Sequence, residues 1–205
     1  MKPKQNKRGD TKKSNTYDRC QTPHYALDPL LPYLKPHWII WESAAGDGQI
    51  VGKLQQHGFC VIGTDILTGA NFFETEPEMW QCQVTNPPYS TKYDWLERSY
   101  SFGLPFALLL PLETLGAKSG QRLFEKHGVE IILLDKRVNF KMPNLGYSGN
   151  GAQFPTAWFT WGLGIGEHLT FAKLSRYEDA QMPLIGVGGT QYNKANQADP
   201  KSLAF

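Results

Sequence analysis

The stretch Trp38-Ile39-Ile40-Trp41-Glu42-Ser43-Ala44-Ala45-Gly46-Asp47-Gly48-Gln49-Ile50 changes character twice within thirteen residues. The apolar run at its start reads as a buried strand. The small residues that follow read as a turn. Gln49 to His57 then reads as a helix stopped by Gly58. Small residues between a strand and a helix let a ligand approach the backbone and permit positive φ. Ligands of open α/β sheets sit outside the carboxyl ends of strands, where such a loop lies. A phosphate-binding loop would need Gly-Lys-Ser/Thr, which is absent. The dinucleotide fingerprint lacks its third glycine after Gly46-x-Gly48, and Asp47 would repel a pyrophosphate. These acids favour a cationic or hydroxyl-rich ligand.

The same alternation continues outward. Phe59 to Gly63, Gln83 to Thr85, Phe106 to Leu110, Val129 to Leu134 and Thr156 to Trp161 read as strands. Lys92 to Tyr100 and Ser119 to His127 read as helices, the second stopped by Gly128. The pattern predicts an α/β fold, with a mostly parallel central sheet and helices on both faces. No helix separates the last two strands, so an antiparallel edge strand is expected there. Gly162-Leu163-Gly164-Ile165-Gly166 reads as a turn between antiparallel strands, and Trp158 and Trp161 read as packing residues.

Two further signals fall at strand ends. Asp65 follows the second strand, 17 residues after Gly48. An acid about 20 residues beyond such a loop binds ribose hydroxyls in nucleotide-binding folds. The alternative is an exposed acid in a turn. Asn86-Pro87-Pro88-Tyr89 follows the third strand. Two prolines stiffen the loop and remove two donors while leaving carbonyl acceptors. Asn86 adds an acceptor, and Tyr89 adds an aromatic face. Such a set suits a planar group bearing an exocyclic amine.

Together, Glu-x-Ala-x-Gly-x-Gly, an acid after the second strand and Asn-Pro-Pro-Tyr resemble a class I S-adenosylmethionine-dependent methyltransferase. The narrower resemblance is to DNA adenine-N6 methyltransferases, in a small form without a large target-recognition domain, and covers roughly residues 17–162. It implies a Rossmann-like fold and S-adenosyl-L-methionine as cofactor. Thr22-Pro23, preceded by Tyr17 and Asp18, resembles the family's N-terminal cofactor motif. The resemblance places Tyr17, Thr22, Pro23, Glu42, Ala44, Gly46, Gly48, Asp65 and Ile66 around the cofactor, with Asn71, Phe72 and Asn86. Asn71-Phe72-Phe73 departs from the Asp-Phe or Asp-Ile pair common in the family, so Asn71 brings no charge to the cofactor's adenine. Asn86, Pro87, Pro88 and Tyr89 would form the catalytic loop, with Tyr89 also stacking on a flipped base. The loop after the fifth strand mixes cations, aromatics and glycines. Lys136, Arg137, Asn139 and Lys141 are its substrate-contact candidates, a mobile connecting loop being the alternative. No metal is implied.

Charge favours nucleic acid; the resemblance puts DNA ahead of RNA, with an RNA adenine-N6 methyltransferase as the alternative. The net charge of +2 divides into +5 over residues 1–19 and −3 over the rest. Residues 1–16 hold no large apolar residue beyond Met1 and read as a disordered basic arm. A solvated terminus is the alternative. Residues 17–176 read as the methyltransferase domain and 177–205 as a loosely structured tail. The 205 residues leave little room for a target-recognition domain, so low sequence selectivity is expected. The short N-terminal segment speaks against the helical domain that protein-glutamine methyltransferases carry. A non-catalytic nucleic-acid-binding protein is a further alternative. No apolar run approaches the about 20 residues of a membrane span, and no signal peptide is visible. The three cysteines, Cys20, Cys60 and Cys82, form no metal-type pair, and a cytoplasmic setting is expected. Oligomeric state is not legible.

Overall fold

A computed structural model describes residues 16–142, 146–147 and 154–175. Residues 1–15 of the basic arm and the whole tail at 177–205 lie outside the described residues. The strands are β1 (Ile39–Glu42), β2 (Cys60–Gly63), β3 (Cys82–Thr85), β4 (Phe106–Pro111), β5 (Glu130–Leu134), β6 (Lys141–Met142), β7 (Gly146–Tyr147), β8 (Thr156–Trp161) and β9 (Leu169–Ala172). The helices are α1 (Gln49–Gln56), α2 (Lys92–Ser101) and α3 (Lys118–His127).

One seven-stranded sheet runs in the order β2-β1-β3-β4-β8-β5-β9. β1 to β4 pair in parallel. β8 is antiparallel to both β4 and β5, and β9 is parallel to β5. The mostly parallel sheet is therefore present, and its reversed strand lies in the β5 half. β8 is inserted between β4 and β5, and β9 pairs with the outer side of β5. The glycine-rich segment 162–168 makes that connection between oppositely directed strands, using positive φ at Gly162, Gly164 and Gly166.

Every central strand sends alternate residues to opposite faces. Ile40, Val84, Leu109, Ile132 and Trp158 face α1 and the turns at residues 24–34. Phe106, Leu108, Leu110, Ile131 and Phe159 face α2 and α3. Burying a Leu, Ile or Phe side chain contributes about 1.5–3 kcal/mol, so a sheet covered on both sides is the stable arrangement for these apolar runs. The chain before β1 forms single 3-10 turns in place of a long helix. Pro23, Pro29 and Pro32 punctuate it, and Ala26 accepts a hydrogen bond from the buried Trp158 indole at 2.8 Å. Residues 64–81 contain no strand. They carry Phe72 into an aromatic cluster with Trp41, Trp80 and Trp95 beneath β1. Among the described residues no helix is long and apolar enough to cross a membrane.

The chain leaves β1 toward β2 on one side and returns through β3 on the other. This reversal of strand order places a crevice at the carboxyl ends of β1 and β3. The ladders show it directly. β1 pairs with β2 as far as Glu42–Gly63, and β3 pairs with β4 as far as Thr85–Leu108. Between β1 and β3 only Ile40–Cys82 and Trp41–Gln83 are paired. The sheet thus parts between its two ligand-type loops.

Candidate functional site

The residues on the β1 side of the crevice form a closed polar turn. Glu42 is fully buried at the end of β1. Its Oε1 accepts the Ala44 N–H at 2.9 Å and the Thr85 hydroxyl at 2.5 Å. Its Oε2 is buried without a hydrogen-bond partner among the described residues. Burial, opposed by these two hydrogen bonds and reinforced by the nearby Asp65 charge, pushes the carboxyl up to about 8. Near neutral pH Glu42 is thus largely protonated, and the crevice floor is less acidic than the sequence suggests. Gly48 has φ +79° at the start of α1, a left-handed geometry that a side chain would strain. Gly46 has φ +50°, and the Gln21 side-chain amide lies where its Cβ would be.

Asp65 stands at the end of β2, where the reading of a hydroxyl acceptor requires it. One carboxylate oxygen accepts the Gly46 N–H at 2.9 Å and the other the Leu67 N–H at 2.8 Å. Each oxygen keeps a further lone pair. Ile66 beside it is 69% exposed, an open apolar surface next to the carboxylate. Asn71 turns its Oδ1 onto the Phe73 N–H at 3.1 Å. Phe72 is buried and stacks on Trp95, with centroids 3.8 Å apart and planes 6° apart.

On the β3 side, Asn86 presents a buried Oδ1 with no partner among the described residues. Pro87 is buried and Pro88 half-buried behind it. The Tyr89 hydroxyl is buried in the same unpartnered state. Burial, and secondarily the Cys20 side chain, raises that phenol well above its usual range, so Tyr89 stays neutral. The Tyr89 ring meets Phe154 and Phe140 edge-on, with centroids at 5.7 and 6.5 Å.

The segment around Thr22-Pro23 crosses this edge and touches three loops. Asp18 accepts from the Ser90 hydroxyl at 2.8 Å and the Ser90 N–H at 3.3 Å. Gln21 Oε1 accepts the Asp47 N–H at 3.0 Å, while the Gln21 backbone exchanges two hydrogen bonds with Lys141. Cys20 Sγ lies 3.0 Å from Met142 Sδ. Thr22 and Pro23 are buried, and Tyr17 belongs to the 3-10 turn at Thr16–Arg19. The structure therefore gathers the segment 17–23, the 42–48 loop, Asp65 and the 86–89 loop at one edge, with the Lys141 backbone paired to Gln21; the Asn139 N–H donates to the Tyr25 hydroxyl at 2.7 Å. Lys136 is directed elsewhere: its ammonium donates to the Leu174 carbonyl at 3.3 Å. Arg137 is exposed in the same turn.

Sequence reasoning missed Gln21, Gln83, Thr85 and Ser90 as site-supporting residues. Gln83 carried a signal, as a polar residue inside an apolar strand. It is fully buried, donates to Ser43 Oγ at 2.8 Å and accepts from Ser99 Oγ at 2.7 Å.

No protein-family model matches the sequence, and no curated protein matches it. Solved structures that resemble the fold include a type I restriction-modification methyltransferase subunit from Streptococcus thermophilus, at 12% identity and TM-score 0.49. The alignment covers 73% of this chain and 45% of that one. A dimethyladenosine transferase from Plasmodium falciparum matches at 11% identity and TM-score 0.45, over 69% of this chain and 62% of that one. The chain thus spans less than two thirds of the length of either protein. Substrates and residue roles do not transfer at that distance.

Proposed function

We propose that this crevice transfers a methyl group from S-adenosyl-L-methionine to the N6 amine of adenine in nucleic acid, with DNA favoured over RNA. The buried Asn86 Oδ1, without a partner among the described residues, carries the reading. An acceptor held out of water costs about 1–3 kcal/mol unless a donor reaches it, and an exocyclic amine supplies that donor. The two prolines beside it bring no N–H donors of their own into the loop, and the Pro88 carbonyl is taken by the Thr91 N–H at 3.2 Å.

The residues present fit the cofactor. Asp65 retains acceptor capacity for ribose hydroxyls, Ile66 offers an apolar face, and Glu42 Oε2 is a polar atom awaiting a partner. Bound there, S-adenosylmethionine supplies a methyl group on an electron-poor sulfonium. The chain supplies alignment and dipoles. Asn86 Oδ1 and the Pro87 carbonyl accept the amine protons and draw the nitrogen lone pair out of conjugation. The same dipoles stabilise the positive charge that develops on nitrogen. Transfer would exchange the donor's C–S bond for the new N–C bond, and the surplus amine proton would leave to solvent. No side chain at the loop serves as a strong base, since Asn86 is neutral and Tyr89 holds its proton. Duplex DNA would need its adenine flipped out, and single-stranded substrate would not. Incubation of the protein with methyl-labelled cofactor and matched DNA and RNA oligonucleotides tests the proposal. Label is expected in DNA adenine; labelled RNA with unlabelled DNA would reverse the substrate preference, and label in neither would defeat the reading.

A further inference from the structure

The parting of the sheet between β1 and β3 is bridged by side chains where the backbone ladder stops. The last paired residues are Trp41 and Gln83. Beyond them, Glu42 Oε1 and Thr85 Oγ1 meet across the gap, as do Ser43 Oγ and Gln83 Nε2. Gln83 is anchored in turn by Ser99 of α2. Glu42, Ser43, Gln83, Thr85 and Ser99 are all at most 2% exposed, so water does not compete for these bonds. Glu42 also holds the Ala44 N–H, and Thr85 directly precedes Asn86. One carboxyl therefore joins the glycine loop to the residue that launches the Asn-Pro-Pro-Tyr loop.

We infer that Thr85 and Glu42 are positioning residues that fix the separation of the two loops and transmit occupancy of the glycine loop to Asn86. The inference rests on the methyl-transfer reading for its consequence in catalysis, but the mechanical coupling stands apart from it. In an open sheet, two ligand loops on parted strands can drift relative to each other. A bond across the gap converts them into one unit, and group transfer is sensitive to displacements of about 1 Å.

The test uses Thr85→Val, which keeps the shape and β-branching while deleting the hydroxyl, and Thr85→Ser, which restores it. Amide exchange is followed with and without S-adenosylmethionine, and cofactor affinity is measured by calorimetry. In the parent, cofactor should slow exchange at Ala44 to Gly48 and also at Tyr89 to Thr91. In Thr85→Val the first effect should persist, with Kd within about threefold, and the second should fall by about tenfold or more. Thr85→Ser should recover it. Where methyl transfer is measurable, kcat should fall about tenfold in Thr85→Val with little change in cofactor KM. Equal slowing of the 89–91 amides in parent and Thr85→Val would overturn the inference, as would loss of cofactor affinity in step with kcat. Coupled exchange in a parent that methylates no adenine would uphold the coupling while removing the proposed reaction.

Discussion

Replacing Glu42 by Gln gives a test whose size follows from the structure. The carboxyl is fully buried, and its value moves from an ordinary 4.5 to about 8. Below 4.5 both the folded and the unfolded chain hold the proton, and the group is neutral toward stability. Between 4.5 and 8 the unfolded chain releases it and the folded chain keeps it, so stability falls as pH rises. Above 8 both are ionised and the cost is complete. Each unit corresponds to about 1.4 kcal/mol, so the group removes about 3–4 kcal/mol between about pH 5 and pH 8. The amide introduced by Glu42→Gln does not titrate. It leaves a buried donor unpartnered, a cost of about 1–3 kcal/mol that does not vary with pH. The difference in stability between parent and variant therefore isolates the carboxyl from every other titrating group. Urea unfolding of both proteins at about pH 5 and pH 8 measures it. The parent should lose about 3–4 kcal/mol relative to Glu42→Gln over that interval. A difference that stays constant, or moves the other way, would show that the carboxyl is ionised in the folded protein and would refute the reasoning.

Three further outcomes follow from separate parts of the molecule. Asn86→Ala should retain cofactor Kd within about threefold and lose at least about a hundredfold in turnover; calorimetry beside a transfer assay checks this, and lost cofactor affinity would reassign the loop. Trp95→Ala removes the ring stacked on Phe72 and should cost about 3–5 kcal/mol in urea unfolding, with the 86–89 loop chemistry affected only through the folded fraction. Deleting residues 1–15 should weaken DNA binding and flatten its dependence on salt; an unchanged slope in a titration series would mean that the basic residues do not contact phosphate.

β4, β5 and β8 were legible because each is a short, mostly apolar run buried on both faces, which leaves periodicity little freedom. β9 was not legible. Leu169 and Phe171 are 48% and 75% exposed, and the segment pairs with β5 only after a glycine-rich crossover. The two ligand loops were legible because glycines and paired prolines leave a local mark in the sequence. The supporting contacts were not, because they join residues far apart in the chain. Asp18 and Ser90 are 72 residues apart, and Cys20 and Met142 are 122 apart. The resemblance suggests a cofactor contact at Phe72; the fold adds its stacking on Trp95, beside Trp41 and Trp80, neighbours that no motif contains. The state of Glu42 is likewise a property of burial. Its sequence context reads as an anionic loop, while the fold encloses the carboxyl and favours its neutral form.

The most direct measurement of the central claim is the position of the transferred methyl. After incubation with methyl-labelled S-adenosylmethionine, DNA and RNA substrates are digested to nucleosides and separated. The account predicts label in N6-methyladenine from DNA and its disappearance with Asn86→Ala. Label on any other base atom, or an adenine signal that survives Asn86→Ala, would contradict it.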